Sequence, residues 1–276
     1  MLENISILKK KDPKPFLRWA GGKRWLKKEL DLFVDIKNYE GYHEPFVGGG
    51  AILFHFQPTQ AFISDTNKDL IDTYLAVKEN PKSIVEILKG LKKDKDSYYE
   101  IRSKSFNDQF EKAAQFIYLN QFSFNGIYRV NSNGGYNVPY GYREKFNFDF
   151  DNIFYVSDYL QCVNITHCDF QDSLVNINEG SLIFLDPPYT IAHNQNGFIQ
   201  YNQKIFSLDD QYRLDNAINQ IKADGAYYIL TNAAHKKVKE IFEKENDTIK
   251  EISRASVVGG RNSSRGQYSE YLFTNI

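Results

Sequence analysis

The sequence predicts an α/β fold built on one parallel-type sheet of about seven strands, with a region of different character inserted in its middle. Three observations carry that prediction. Short apolar runs alternate with segments whose apolar residues recur every three or four positions, the pattern of strands feeding helices. Two of the runs stop abruptly, one in three glycines and one in two prolines, as strands do at the edge of a ligand site. No internal repeat or low-complexity stretch interrupts the alternation.

Taken in order, apolar residues at helical spacing over 23–34 predict a helix, and the run at 42–47 predicts the first strand. Three glycines follow at 48–50, then a helical segment AILFHF at 51–56, a strand over 61–64 and a helix over 67–77. Residues 81–160 read as several helices leading to a polar, turn-rich stretch. Within it, Asn133-Gly134-Gly135 lies between IYRV and YNV, and these residues accept positive φ cheaply, so a protruding β-hairpin is expected near 124–140. Further strands are expected at 162–167, 182–185, 226–231, 249–255 and 269–273, with a helix over 208–221. The expected organisation is a catalytic domain of residues 1–80 and 161–276 and a target-recognition domain of residues 81–160.

Composition removes several classes. The 276 residues carry 34 Lys plus Arg against 35 Asp plus Glu, a net charge of −1, and are 42% hydrophobic. Such a chain buries a sizeable core and is neither a disordered acidic tail nor a collagen-like repeat. Residues 1–28 hold nine Lys or Arg against Glu3 and Asp12, so anionic partners would land there, unless this is a solvated N-terminal arm. Cys162 and Cys168 are too few for a disulfide scaffold, and the five histidines lack metal-ligand spacing, so a reduced, metal-free protein is expected. Without an apolar run of membrane-spanning length or a signal peptide, the expected location is the cytoplasm. The 19 Tyr and 21 Phe exceed ordinary usage, and beyond filling a core they would serve an enzyme that stacks nucleobases.

Three motifs carry chemistry. EPFVGGG at 44–50 lets backbone approach a ligand at a strand's carboxyl end, although it is not the GxGxxG of a nicotinamide dehydrogenase. The next strand ends in Ser64-Asp65, whose carboxylate suits either a ribose diol or a helix N-cap. DPPY at 186–189 directly follows the apolar run SLIFL. Its two prolines remove two N–H donors and fix the chain, so Asp186 and the neighbouring carbonyls project rigidly. An exocyclic amine needs acceptors for both protons while its nitrogen attacks an electrophile. A carboxylate and a backbone carbonyl supply them, and Tyr189 offers a stacking face.

FLRWAGGK at 16–23, EPFVGGG, SDTN at 64–67, FNGIYRVNSNGGYNVPYG at 124–141, DPPY and Thr231-Asn232 together resemble the Dam-like, alpha-group N6-adenine DNA methyltransferases, in family order and across nearly the whole chain. The resemblance implies a Rossmann-like sheet, S-adenosylmethionine as cofactor and double-stranded DNA as substrate. It implies that Asp186, Pro187 and Tyr189 grip the target adenine. Trp19, Lys23, Phe46, Gly48, Asp65, Asp169 and Phe170 would bind the cofactor, with Asp65 on the ribose and Asp169-Phe170 on the adenine. Ile127 would be a wedge in the duplex, Arg129 and Arg18 guanine readers, and Arg261 and Arg265 phosphate contacts. For Arg129 a phosphate clamp is the other reading, and for Arg261 and Arg265 solvated loop charges.

The resemblance further implies a GATC target. The segment YTIAHNQNGFIQYNQKIFS at 189–207, however, is more elaborate than in the simplest GATC enzymes and is similar to relatives with other targets. Cytosine-N4 methylation is an alternative, since the same acceptors serve any exocyclic amine, although cytosine members usually carry Ser before PPY. A sequence-specific DNA-binding protein without transferase activity is a second alternative. A monomer is expected where one base is modified per event, and pairing with a restriction endonuclease is one setting for such an enzyme.

Overall fold

The computed structural model describes residues 12–175, 177–189, 206–255 and 267–276. They fall into two compact units. One comprises residues 12–22, Gly49–Gln57 and Asp72–Gln161; the other comprises Lys23–Gly48, Pro58–Ile71 and the described part of Cys162–Ile276.

The second unit is the sheet. Its strands are β1 (Tyr42–Glu44), β2 (Ala61–Asp65), β3 (Val163–His167), β4 (Leu182–Leu185), β5 (Tyr227–Ala233), β6 (Thr248–Ala255) and β7 (Gln267–Thr274). They lie in the order β3-β2-β1-β4-β5-β7-β6. β1 to β5 pair in parallel, while β7 runs antiparallel to both β5 and β6. The order reverses between β1 and β4, and an open sheet binds its ligands at such a switch point, outside the carboxyl ends of the strands. β1 stops at Glu44 rather than reaching 47, because Pro45 has no N–H for the ladder.

The helix expected over 23–34 is shorter: α1 (Lys27–Leu30) is flanked by turns, including Leu26 N–H to the Lys23 carbonyl and Phe33 N–H to that of Leu30. Across β4 and β5, Ile183, Leu185, Tyr228 and Leu230 share a core with Leu214, Ile218 and Ile221 of Leu208–Ala223, and with Val238, Ile241 and Phe242 of Lys236–Phe242. The longer of these two helices begins at a capping box. The Ser207 hydroxyl accepts from Asp210 N–H while the Asp210 carboxylate accepts from Ser207 N–H.

The first unit is helical. It contains Leu53–Phe56, Pro81–Gly90, Lys95–Ser103, Gln109–Phe122 and Phe150–Leu160, the last four capped by the side chains of Asn80, Asp94, Asp108 and Asp149. Its core accounts for part of the aromatic excess. Tyr98, Tyr118 and Tyr140 are buried, and their hydroxyls donate to the carbonyls of Val138, Lys92 and Lys93.

The hairpin expected near 124–140 forms without strands. Two isolated antiparallel bridges, Ser123 with Tyr140 and Val130 with Tyr136, close a loop whose tip is tied by Asn131 N–H to the Gly135 carbonyl at 2.8 Å. Its first arm cannot extend, because Asn125 and Gly126 take φ of 55° and 65°, and in the return arm Pro139 lacks a donor. Side chains do the tying instead: the Tyr136 hydroxyl donates to the Ile127 carbonyl at 2.7 Å, and Arg129 Nε donates to Asn137 Oδ1 at 2.7 Å.

Candidate active site

DPPY leaves the carboxyl end of β4, and its environment is built from residues far away in sequence. Asp186 Oδ1 lies 2.7 Å from Lys23 Nζ and accepts from the Thr231 hydroxyl of β5 at 2.9 Å. Lys23 Nζ is also 3.6 Å from Oε2 of Glu270, on β7. The same Glu270 oxygen accepts from the Tyr189 hydroxyl at 2.5 Å, and Lys23 Nζ lies over the Tyr189 ring, 4.9 Å from its centroid. Lys23 and Glu270 are each 3% exposed at the side chain, whereas Asp186 is 19% exposed, so the carboxylate is the charged group of the three with access to the outside. Burial pushes the Asp186 carboxyl above its ordinary range; Lys23 opposes that rise and Glu270 adds to it.

Beside this cluster the glycine loop leaves β1. Val47 N–H donates to the Ser64 carbonyl, and Gly48, at φ 48°, donates to Asp65 Oδ2 at 3.1 Å. Asp65 Oδ1 takes Asn67 N–H at 2.9 Å. The carboxylate therefore clasps the loop to the end of β2, while the following helix, Lys68–Glu79, is opened by Asn67, whose side chain accepts from Leu70 N–H. Burial raises the Asp65 pKa, and its backbone donors counteract the rise. Phe46 is half-buried, 5.4 Å from Phe170 and 5.7 Å from Phe206 between ring centroids, forming an aromatic wall at the strand end.

Asp169 caps the short helix Phe170–Ser173 through Gln171 N–H and pairs with Arg213 at 2.6 Å, while Phe170 is buried beneath that guanidinium. The structure thus brings together Lys23, Asp186 and Tyr189, ties Gly48 to Asp65, and packs Phe46 on Phe170.

In the helical unit, Trp19 stacks on Tyr128, with ring centroids 6.1 Å apart. Arg18 Nη1 donates to the carbonyls of Gln121 and Ser123 at 3.3 and 3.1 Å, and Arg143 Nη1 reaches the same Gln121 carbonyl at 2.7 Å. Two guanidiniums thus meet the carbonyl end of the helix Gln109–Phe122, where the helix dipole favours cations. Ile127 is half-buried and Arg129 exposed. Arg261 and Arg265 lie outside the described residues.

Sequence reading missed Glu270, Arg213 and Arg143. A signal for Glu270 existed, since an acid sits there at the strand position that shares a face with buried Leu272. Nothing comparable marks Arg213 on its helix. Among the described residues, no group of His, Cys, Asp and Glu could hold a metal ion, and no helix is long and apolar enough to cross a membrane.

Residues 19–257 match the family model described as D12 class N6 adenine-specific DNA methyltransferase. The chain is 33% identical over 273 residues to the Type II methyltransferase M1.LlaDCHI of Lactococcus lactis subsp. cremoris, covering 95% of each chain. It is 36% identical to the Type II methyltransferase M.MjaIII of Methanocaldococcus jannaschii, over 80% of this chain and 84% of that one. It is 33% identical to a DNA adenine methylase of Haemophilus influenzae, over 86% of this chain and 85% of the other.

Proposed function

The chain belongs to the D12 class N6 adenine-specific DNA methyltransferases, and from that premise we propose that Asp186, Pro187 and Tyr189 hold the target adenine for methylation at N6. Membership sets aside the cytosine-N4 alternative, whose motif would carry Ser where this chain has Asp186. The observation that carries the residue assignment is the Asp186 carboxylate, fixed at the β4 end by Lys23 and Thr231 and more accessible than Lys23 or Glu270.

Adenine stacked in a duplex keeps N6 out of reach, so the base is flipped, at a few kcal/mol, into this pocket. Asp186 accepts a hydrogen bond from one N6–H and the Pro187 carbonyl accepts one from the other. This turns the nitrogen lone pair toward the methyl group and stabilises positive charge as it develops on nitrogen. Transfer leaves one proton in excess on N6, which is lost to solvent afterwards, so Asp186 acts as an acceptor and electrostatic partner and need not be a strong base. The ring of Tyr189 is the stacking face.

The cofactor such a reaction calls for is S-adenosylmethionine, which supplies an electrophilic methyl on a sulfonium centre. The residues fit it: a positive-φ glycine at the β1 end, an aromatic wall at Phe46 and a carboxylate at the β2 end form the cradle an open sheet offers at its switch point. Phe46, Gly48 and Asp65 would hold it, with Asp169 and Phe170 toward its base, and Trp19 and Lys23 would complete the site.

Residues 81–160 would read the DNA, with Ile127 as wedge and Arg129 on guanine, where a bidentate contact is worth about 1–3 kcal/mol of discrimination. Arg18 would contribute at the base of the same loop. Its Nη1 is committed to two carbonyls, so Nε and Nη2 are the pair that could face a guanine. Arg261 and Arg265 would contact phosphates. GATC is the first target to test. A monomer acting in the cytoplasm is the proposed working form. The Type II names of two relatives support pairing with a restriction endonuclease as its setting.

The test is methylation-aware sequencing of DNA from a methylation-free host expressing the protein, with Asp186→Ala as control. N6-methyladenine at one short motif, absent in the variant, is the expected result. Modification that persists in Asp186→Ala would overturn the site assignment.

A further inference from the structure

Glu270 is a buried acid on β7, and no motif singled it out. A carboxylate on the inner face of a strand is strongly destabilising unless paired and hydrogen-bonded. Its carboxylate meets Tyr189 of DPPY and Lys23, the cation that holds Asp186. In register, Ala233 of β5 faces Glu270, which places the acid two residues beyond the Thr231–Leu272 pair, at the end of the sheet where DPPY emerges. There its Oε2 accepts from the Tyr189 hydroxyl at 2.5 Å, within the range of a charge-assisted O–H to carboxylate bond, and approaches Lys23 Nζ at 3.6 Å. Lys23 in turn is 2.7 Å from Asp186 and lies over the Tyr189 ring.

We propose that Glu270 is a positioning residue for methyl transfer, locking the Tyr189 ring through its hydroxyl and sharing Lys23 with Asp186 so that one ammonium serves two carboxylates. The ring has two torsions, and anchoring its far end removes the freedom of the face on which the target base would stack. With both carboxylates ionised, Glu270 brings the formal charge of Lys23, Asp186 and Glu270 together to −1. That sign complements the positive charge passing from sulfur to nitrogen during transfer, whereas an exclusive Lys23–Asp186 pair would present no net charge to it.

The inference rests on the assignment of Asp186 and Tyr189 to the target base, so Asp186→Ala is carried through every experiment. Single-turnover rates on a duplex carrying the motif that methylation-aware sequencing identifies would be measured for Glu270→Ala, Glu270→Gln, Tyr189→Phe and the Glu270→Ala/Tyr189→Phe pair. Cofactor affinity would be measured by calorimetry and melting temperature by circular dichroism. Glu270→Ala is expected to slow transfer by about tenfold or more with cofactor affinity within about twofold of the parent, and Tyr189→Phe is expected to add little on top of it.

The near-isosteric Glu270→Gln keeps an acceptor for the Tyr189 hydroxyl and tests the charge alone. It removes a like charge facing Asp186, so the acid limb of the rate profile is expected to move to lower pH, a shift that a purely structural role would not produce. With 2-aminopurine at the target position, Glu270→Ala and Tyr189→Phe should alter the fluorescence of the flipped base in the same direction. A Glu270→Gln enzyme with the parent's rate and acid limb, or Glu270→Ala and Tyr189→Phe effects that multiply fully, would overturn the proposal while leaving the site assignment standing. Residual transfer in Asp186→Ala would instead overturn the assignment beneath it.

Discussion

Lys23→Met is the sharpest test of the cluster, because it removes one cation from between two carboxylates and keeps much of the side chain's volume. Nζ lies 2.7 Å from Asp186 and 3.6 Å from Glu270, and the Lys23 and Glu270 side chains are each only 3% exposed. At an effective dielectric of about 20, unit charges at these separations attract by about 6 and about 5 kcal/mol. Desolvation of the ions takes back several kcal/mol, but losing one partner leaves the others buried and uncompensated, which costs about 3–5 kcal/mol. Lys23→Met should therefore lower the free energy of unfolding by that amount, and the melting temperature by roughly 10 °C for a chain of this size.

The variant should also show whether the second carboxylate matters. With Glu270→Gln added, one of the two orphaned charges disappears, and about 1–3 kcal/mol of the loss should return. Urea denaturation of parent, singles and double, followed by far-ultraviolet circular dichroism, measures both. A loss below about 1 kcal/mol for Lys23→Met, typical of an exposed pair, would refute the cluster's geometry. No recovery in the double variant would refute Glu270's place in it.

His43 should make the fold acid-sensitive. It is buried against Phe62, ring centroids 4.7 Å apart, and burial lowers its pKa to about 4. The folded chain thus refuses a proton that the unfolded chain accepts below about pH 6.5. The stability this confers is complete above that pH and is lost as pH falls toward about 4, amounting to about 3 kcal/mol. Urea midpoints for the parent and His43→Leu at about pH 7.5 and about pH 4.5 check it: the difference between the two pH values should shrink in the variant. At the loop 124–141, a Cβ at Gly126 would lie 2.5 Å from Arg18 Cβ, on a backbone already at φ 65°. Gly126→Ala should therefore displace Arg18 and reduce discrimination between the target site and one-base variants by more than it reduces the rate on the target itself, measured as ratios of kcat/KM. Gly48→Ala, at φ 48°, strains the loop by about 1 kcal/mol. It should weaken S-adenosylmethionine binding measured by calorimetry while a DNA gel-shift affinity stays near the parent's.

The seven strands of the sheet were legible within a few residues at each end: β1, β2, β4 and β5 through the apolar runs of buried parallel strands, and the antiparallel β6 and β7 through shorter β-branched and aromatic runs. Boundaries slipped where one residue decided them, as at Pro45. The loop at 124–141 was legible as a turn from Asn133-Gly134-Gly135 but not as a bridged loop without strands, since the positive φ of Asn125 and the side-chain ties of Tyr136 and Arg129 depend on what surrounds them.

DPPY, the glycine loop and the carboxylate at the β2 end announced themselves in sequence because each is a contiguous run whose backbone chemistry points to its use. Asp65's bond to Gly48, Arg213's hold on Asp169 and the grip of Lys23 and Glu270 on the DPPY cluster were decided only in three dimensions. Such contacts join strands and loops that the order β3-β2-β1-β4-β5-β7-β6 brings together. Periodicity and motif spacing report what a residue's neighbours along the chain are. The charge a buried carboxylate meets across a sheet depends on strand order, which no local pattern contains.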